Sequence, residues 1–284
     1  MAGLVRLATE HGIVWAALHE DGGVPLGATL AELLALPLDA ARARIDAASG
    51  DPVQGHLLAP IDAQEVWAAG VTYERSRDER MAESTEASIY DRVYVAERPE
   101  VFFKSTAARV VAPGEPVGIR ADSDWDVPEP ELGLVFNAAG ELFGFVPGND
   151  MSSRSIEGEN PLYLPQAKVY EAACALGPAI VPAWEATAPF GIGLTISRND
   201  EVVFEGSTST ATVTRDLEDL GAWLFAAMPF PAGAVLLTGT GIVPEEGFTL
   251  AAEDVVTVSI EQIGTLINPV RVVGRDLRAQ GGSR

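Results

Sequence analysis

Prolines and glycines interrupt the chain at short intervals, and the runs between them are short and rich in Val, Ile, Leu and Phe. The sequence has 28 Gly and 19 Pro among its 284 residues, and both limit helices, because Pro ends a helix and Gly weakens one. Short β-branched or aromatic runs bounded by such residues predict β-strands. These runs are residues 101–103, 132–136, 142–145, 193–196, 202–204, 235–237, 255–260 and 266–273. The pattern predicts a mainly β fold of the α+β class, a mixed roll or sandwich and not a doubly wound sheet.

The N-terminal part of the chain has a different pattern, in which a β-hairpin is followed by helices. The predicted elements there are a hairpin at residues 4–7 and 13–18 and helices at residues 29–36 and 38–48. A turn-rich connection follows at residues 49–60. We therefore expect a small α/β domain over residues 1–62 and a main domain over residues 63–284. Further helices are predicted at residues 74–83, 169–176 and 217–227.

Acidic residues outnumber basic ones, and this excludes two classes of partner. The 41 Asp and Glu against 19 Lys and Arg give a formal net charge of −22, which repels nucleic-acid phosphates and anionic lipids. The apolar runs are far shorter than the roughly 20 residues of a membrane-spanning helix. The first residues lack a charged segment followed by an apolar one, so we expect no secretion signal. The single cysteine, Cys174, fits a reducing compartment and a small core residue. We expect a cytoplasmic protein that binds neither nucleic acid nor a membrane.

A pair of glutamates two residues apart begins one predicted strand. Side chains at Glu129 and Glu131 point to the same face, and the hairpin turn at residues 137–140 returns the chain so that Asp150 lies beside them. Three carboxylates in one pocket repel each other unless they are protonated or bind a divalent cation. Oxygen ligands select Mg²⁺, Mn²⁺ or Ca²⁺. In so acidic a chain, the same residues taken alone are also compatible with surface charges.

Lysine is rare in this sequence, and its two copies stand out against the many arginines. The chain has only Lys104 and Lys168 against 17 arginines. Two explanations for a retained lysine stay open. Either the position needs an amine that can lose its proton, which arginine does not provide, or the lysine is retained by chance. Lys168 ends a polar segment at residues 155–168, which we predict to be an irregular binding loop. No phosphate-binding glycine motif follows a predicted strand, so a nucleotide cofactor is unsupported.

Several motifs follow one another in an order typical of a known family. They are Glu129/Glu131, the turn 148–150 with Arg154 after it, Lys168, and Thr-Gly-Thr-Gly at residues 238–241. As an ordered set they resemble the fumarylacetoacetate hydrolase superfamily over residues 66–273. Residues 70–77, 97–104 and 155–168 are most similar to its 2-keto-3-deoxy-D-arabinonate dehydratase branch. Residues 105–109 depart from the pattern, since Pro and His are expected there, and this leaves the substrate contacts beside Lys104 open.

The resemblance implies a mixed β-sandwich roll of the fumarylacetoacetate hydrolase type with a small N-terminal α/β domain. It also implies a homodimer or homotetramer and a divalent cation, Mg²⁺ with Mn²⁺ or Ca²⁺ as alternatives, held by Glu129, Glu131 and Asp150. The implied reaction is the dehydration of 2-keto-3-deoxy-D-arabinonate to 2,5-dioxopentanoate, with the metal stabilising the enolate of this 2-oxo acid.

Roles for individual residues follow from this reaction. Lys168 is the expected base for the C3 proton, and Glu83, Glu97 or Glu157 is the expected acid for the leaving hydroxide. The expected substrate-binding residues are Tyr73, Ser76, Arg77, Lys104, Ser152, Arg154, Gln166 and Thr240. Lys104 has an alternative reading, in which its stem only packs beneath the site.

Two other functions remain open from the sequence. One is C–C bond hydrolysis of an acylpyruvate or a didehydro-3-deoxy sugar acid at the same metal. Such hydrolases commonly activate water with a histidine on a lid, whereas His11, His19 and His56 all precede the main domain. Dehydration is therefore favoured. The other is a metal-stabilised binding module without turnover.

Overall fold

The strands and helices are taken from a computed structural model, which describes residues 3–19, 22–70, 72–73, 96–245 and 247–276. Within these ranges the strands are β1 (Leu4–Thr9), β2 (Gly12–His19), β3 (Gly22–Pro25), β4 (His56–Leu58), β5 (Glu65–Gly70), β6 (Glu100–Thr106), β7 (Val117–Arg120), β8 (Asp126–Val127), β9 (Pro130–Phe136), β10 (Leu142–Asp150), β11 (Ser152–Ser153), β12 (Cys174–Leu176), β13 (Val181–Pro182), β14 (Gly191–Arg198), β15 (Glu201–Ser209), β16 (Ala234–Leu237), β17 (Val255–Ile260) and β18 (Gly264–Val273). The helices are α1 (Leu30–Leu34), α2 (Leu38–Asp46), α3 (Arg154–Glu159), α4 (Leu164–Lys168) and α5 (Leu217–Phe225). None of these helices is long and apolar enough to cross a membrane.

Most strands belong to three sheets. The central sheet has the order β12-β10-β9-β16-β5-β6, with β13 also paired to β10, and a second sheet has the order β15-β14-β17-β18-β7. The N-terminal sheet has the order β3-β2-β1-β4, while β8 and β11 form a separate two-stranded ribbon. Each run that the sequence predicts as a strand lies within an observed strand. The prediction of a mainly β, α+β fold is confirmed.

The central sheet is covered on both faces, because its strands carry apolar side chains on each side. Leu134 and Phe136 of β9 belong to one apolar cluster together with Leu194 of β14, so this face packs against the second sheet. The neighbouring Val135 points the other way and joins a cluster with Leu34 of α1. The N-terminal segment therefore shares a core with the central sheet. The division at residue 62 stays a prediction.

Two segments differ from the sequence-based expectation. Residues 169–176 are not a helix: Cys174–Leu176 form a short strand that pairs with β10. The alanines that suggest a helix are buried against this neighbour, and tertiary packing overrides their helix propensity. Residues 155–168 are not an irregular loop either, because α3 and α4 occupy most of the segment. The helix predicted at residues 217–227 is confirmed as α5, and the one at residues 74–83 lies outside the described residues.

Candidate active site

The β9–β10 hairpin brings the three candidate metal ligands together. Its turn is fixed by Asn137, whose side-chain oxygen accepts hydrogen bonds from the backbone N–H groups of Ala139 and Glu141 at 3.0 and 2.8 Å. The resulting register pairs Gly148 with Glu131. It also lets the N–H of Asp150 donate to the carbonyl of Glu129 at 3.0 Å. The carboxylates of residues 129, 131 and 150 therefore meet at the open end of the hairpin, as predicted.

Glu131 is held in place by the chain that leaves β16. The N–H of Gly239 donates to its Oε2 at 2.7 Å. Gly239 has a φ of +81°, a conformation that favours glycine, and a Cβ at this position would collide with the side chain of Thr72. The small residues after β16 thus serve to aim a backbone donor at one carboxylate.

The geometry of the three carboxylates fits a divalent cation. One oxygen of each of Glu129, Glu131 and Asp150 lies within 4.8 Å of the others, and all three side chains are buried. Burial, and then the charges of Asp150 and Glu129, hold the pKa of Glu131 well above its usual range. A bound cation removes this repulsion, and a set made of oxygen ligands alone suits Mg²⁺ or Mn²⁺.

The two lysines contact the cluster from different sides. Lys168 ends α4, and its Nζ lies 2.8 Å from Glu129 Oε1 and 3.3 Å from Asp150 Oδ2. It also donates to Ser152 Oγ at 2.6 Å. Lys104 of β6 forms an ion pair with the other oxygen of Asp150, Oδ1. Each oxygen of Asp150 therefore faces one ammonium group.

An arginine and a further glutamate extend the cluster along α3. Arg154 Nη2 lies 3.2 Å from Glu129 Oε1, and its Nη1 lies 3.9 Å from Glu157 Oε2. Both side chains are almost fully buried, since α3 packs its first turn against the site. The Oγ of Ser153 accepts a hydrogen bond from the N–H of Ile156 and so caps this helix.

A pocket opens onto these groups. It is lined by Ala69, Gly70, Glu100, Phe102, Glu129, Glu131, Asp150, Arg154, Glu157, Leu164, Lys168, Gly239 and Thr240. Phe102 lies under Lys168, with 5.9 Å between the ring centroid and Nζ. A Cβ at Gly70 would collide with the carboxylate of Glu100, so the glycine leaves room for that side chain. The pocket thus combines three clustered carboxylates with a lysine, an arginine and two further acids.

A family model places the chain among known proteins. The model described as fumarylacetoacetate (FAA) hydrolase C-terminal matches residues 65–271, which include every element of this pocket. The chain belongs to the fumarylacetoacetate hydrolase family. Its predicted fold type is confirmed by this match and by the solved structures described next.

Two similar proteins carry dehydratase names. A Haloferax volcanii protein named "Probable 2-keto-3-deoxyxylonate dehydratase" is 49% identical over 78% of this chain and 77% of its own length. The 2-dehydro-3-deoxy-D-arabinonate dehydratase of Saccharolobus solfataricus is 44% identical over 76% of this chain and 74% of its own. A solved structure of 2-keto-3-deoxy-D-arabinonate dehydratase complexed with magnesium and 2,5-dioxopentanoate superimposes with a TM-score of 0.84 at 35% identity, covering 96% of this chain and 99% of that one. The predicted resemblance to this branch of the family is confirmed.

The structure brings some of the predicted site residues together and leaves others apart. Arg154, Glu157, Lys168 and Thr240 line the pocket with the three carboxylates, while Ser152 is buried beneath it and contacts Lys168. Tyr73 is buried, and burial followed by the charge of Glu131 raises the pKa of its hydroxyl. Ser76, Arg77 and Glu83 lie outside the described residues, so their roles stay predictions.

Three residues predicted to act in the site are not among the described residues that line the pocket. Glu97 is exposed, and its described contact is a backbone carbonyl that accepts from Arg215. Gln166 is exposed in a neighbouring groove, where its carbonyl accepts from Arg120. Lys104 is buried and does not line the pocket, because its Nζ points beneath Asp150.

Sequence reasoning missed Glu100, which lines the pocket where Glu97 does not. The signal was available, because residues two apart on a strand share a face. Within β6, residues 100, 102 and 104 alternate with the others, and all three reach the site: Glu100 and Phe102 line the pocket and Lys104 holds Asp150.

Proposed function

We propose that this chain is a Mg²⁺-dependent dehydratase of 2-keto-3-deoxy sugar acids, which converts 2-keto-3-deoxy-D-arabinonate to 2,5-dioxopentanoate. The observation that carries the proposal is a pocket in which one lysine faces three buried carboxylates that fit a divalent cation. The dehydratase names of two relatives that are 49% and 44% identical support the same reaction.

Glu129, Glu131 and Asp150 would hold the metal. When bound, Mg²⁺ supplies Lewis-acid polarisation of the 2-oxo acid, which makes the hydrogens on C3 more acidic. The buried position of the three ligands keeps bulk water away from these charges, so their electrostatic effects are stronger than in water.

Lys168 removes a proton from C3 in this proposal. Of the two lysines in the chain, it is the one that lines the pocket. Ser152 fixes its Nζ at 2.6 Å and passes on a hydrogen bond to the carbonyl of Asp150 at 3.0 Å. Since Asp150 is also a candidate metal ligand, this chain of contacts keeps the base at a set distance from the activated carbon.

Glu100 protonates the hydroxide that leaves from C4, which gives water and a 3-ene that still carries the C5 hydroxyl. Removal of a C5 proton and return of protons to C3 and C4 then convert this isomer to 2,5-dioxopentanoate. Glu100 lines the same pocket from β6, whereas Glu97 is exposed. Glu157 also lines the pocket, but its Oε2 lies 3.9 Å from Arg154 Nη1, a contact that suits holding the arginine. The guanidinium of Arg154 and the hydroxyl of Thr240 are placed to bind the oxygens of the sugar acid.

Assembly and location are part of the proposal. We expect a homodimer or homotetramer in the cytoplasm, where the buried, free thiol of Cys174 stays reduced. Size-exclusion chromatography with light scattering measures the assembly directly.

Product analysis tests the proposed reaction. The protein is stripped of metal, reloaded with Mg²⁺ and incubated with 2-keto-3-deoxy-D-arabinonate, and a semialdehyde dehydrogenase traps the product. We expect Mg²⁺-dependent formation of 2,5-dioxopentanoate. Formation of pyruvate and glycolaldehyde would indicate aldol cleavage. In a separate incubation with an acylpyruvate in H₂¹⁸O, two fragments, one of them carrying ¹⁸O, would indicate C–C hydrolysis. Either result, obtained without 2,5-dioxopentanoate, contradicts the proposal.

A further inference from the structure

The contacts of Lys104 differ from those of a lysine that binds substrate. The side chain is 1% exposed and lies behind the candidate metal ligands, away from the pocket. Its Nζ forms an ion pair with Asp150 Oδ1. It also donates to two backbone carbonyls, that of Met151 at 3.0 Å and that of Lys168 at 2.5 Å.

These contacts match the donors of the group in number. An ammonium has three N–H donors and no acceptor, and Lys104 has a carboxylate and two carbonyls as partners. Lys104 is buried and is not among the described residues that line the pocket. These contacts favour the alternative expectation, in which Lys104 acts beneath the site, over a direct contact with substrate.

The three partners of Lys104 lie in two parts of the site, which are the end of β10 with its candidate metal ligand and the end of α4 with Lys168. Asp150 is a candidate metal ligand at the end of β10, and Met151 follows it. The carbonyl of Lys168 ends α4, which carries the lysine that faces the pocket. A single ammonium group thus joins the metal-binding strand end to the helix end that presents the base.

We propose that Lys104 is a positioning residue that orients the carboxylate of Asp150 for metal binding and fixes the backbone of Lys168 beside it. The proposal rests on the metal site of the proposed function. Groups that hold a metal ligand from behind typically change metal affinity or activity 10- to 100-fold when they are removed.

The sign of the change in metal affinity separates positioning from simple charge. A cation that only adds positive charge near the site weakens metal binding, so its removal tightens the binding of Mn²⁺. A cation that orients a ligand has the opposite effect, because its removal lets the carboxylate rotate away. Lys104→Met, which keeps most of the side-chain length without the charge, distinguishes the two.

A matched control is offered by a second ion pair of a buried aspartate. Arg198 binds Asp254 through two hydrogen bonds, of 2.7 and 2.8 Å, and Asp254 is fully buried. Arg198→Met removes the cation from this pair without touching the pocket. Any effect of unpairing a buried carboxylate on general stability appears in both variants.

The experiment measures Mn²⁺ binding by calorimetry on metal-stripped wild type, Lys104→Met, Lys104→Gln and Arg198→Met. We expect about 10-fold or weaker Mn²⁺ binding for both Lys104 variants and unchanged affinity for Arg198→Met. At saturating Mn²⁺, kcat of the Lys104 variants should fall by about 10-fold or more while KM changes little, because the misplaced group is Lys168.

Unchanged or tighter Mn²⁺ binding in a folded Lys104 variant would overturn the proposal. Failure of both Lys104 variants to fold, with or without Mn²⁺, would do so as well, since it would assign Lys104 to the fold alone. Absence of Mn²⁺ binding in the wild type would instead contradict the proposed function, so the two failures are distinguishable.

Discussion

The two ends of the β9–β10 hairpin are equally buried, but one end buries apolar side chains and the other buries carboxylates. At the turn end, Phe136 and Phe143 fill the apolar clusters on either face of the central sheet. At the open end, Glu129, Glu131 and Asp150 are within a few per cent of full burial too, yet each faces charged partners. Burial therefore does not distinguish the functional end from the structural one. The clustered carboxylates do, because like charges that are buried together repel each other and raise the pKa of Glu131.

Glu131→Gln is the change with the largest expected effect at the open end. The amide oxygen can still accept from Gly239, but one metal ligand and one repelling charge are lost. We expect Mn²⁺ binding to be lost and kcat to fall about 10³-fold or more, since metal polarisation supplies several kcal/mol. The melting temperature of the metal-free protein should hold or rise, as burial already disfavours this charge. Full activity of the metal-free variant would remove Glu131 from the metal site.

Phe143→Ala tests the turn end in the opposite way. Phe143 is fully buried, and its ring packs edge-on against Trp184 at a centroid distance of 5.7 Å. We expect the free energy of unfolding to drop by about 3–5 kcal/mol, with kcat of the folded enzyme within about twofold of wild type. Urea denaturation and a saturating assay measure the two quantities. The exposed Val203 of β15 is the control, because Val203→Ala should change stability by less than about 0.5 kcal/mol. A stable but inactive Phe143→Ala protein would break the comparison.

Asp126 is a buried carboxylate outside the metal cluster, and its ionisation lowers the free energy of unfolding. Burial raises its pKa to about 6, so the folded protein binds this proton more tightly than the unfolded chain does. The contribution of Asp126 to the free energy of unfolding is therefore most favourable below about pH 4. It is lost progressively as the pH rises to about 6. The difference between the folded and unfolded pKa values of Asp126 changes the free energy of unfolding by at most about 3 kcal/mol.

Asp126→Asn should remove this part of the pH dependence. The measurement is the difference in free energy of unfolding between pH 4.5 and pH 7, without divalent cations, for wild type and variant. The other carboxylates contribute alike to both proteins and cancel. An identical pH dependence in the two proteins would show that Asp126 does not titrate in this range.

Ser152→Ala has the smallest expected effect at the open end. The hydroxyl links Lys168 to the carbonyl of Asp150 and is not among the candidate metal ligands. We expect kcat to fall about tenfold, the value of one hydrogen bond to a charged group, and Mn²⁺ affinity to change less than about twofold. Calorimetry and steady-state kinetics provide both numbers. A larger loss of affinity than of kcat would mean that Ser152 supports the metal ligands and not the base.

The sequence contains enough local information for the hairpin that carries the site. Strand periodicity puts Glu129 and Glu131 on one face, and the turn after Phe136 returns the chain to Asp150. Both inferences depend on neighbours in the chain, where short-range geometry is strict. The strand Glu65–Gly70 was missed because its small residues have little β-propensity, and its pairing with β16, which is distant in sequence, stabilises it.

Contacts across the fold were harder to foresee. Glu97 precedes β6 whereas Glu100 begins it, and the strand pattern selects Glu100 only once the start of β6 and its pocket-facing side are known. Lys104 carried the same uncertainty, because a lysine near an active site can point into it or beneath it. Only the tertiary structure shows that its Nζ contacts Asp150 and the backbone carbonyls of Met151 and Lys168.

Exchange of the C3 hydrogens of pyruvate with D₂O, followed by NMR, tests the division of roles at the open end most directly. Pyruvate lacks a C4 hydroxyl, so the measurement isolates proton removal from loss of water. We predict Mg²⁺-dependent exchange by the wild type and a loss of about 10²- to 10⁴-fold in Lys168→Arg, since arginine keeps the charge but cannot act as a base. Lys104→Met should retain part of the exchange at saturating metal. Exchange at the wild-type rate by Lys168→Arg, with none by Lys104→Met, would contradict the account and exchange the roles of the two lysines.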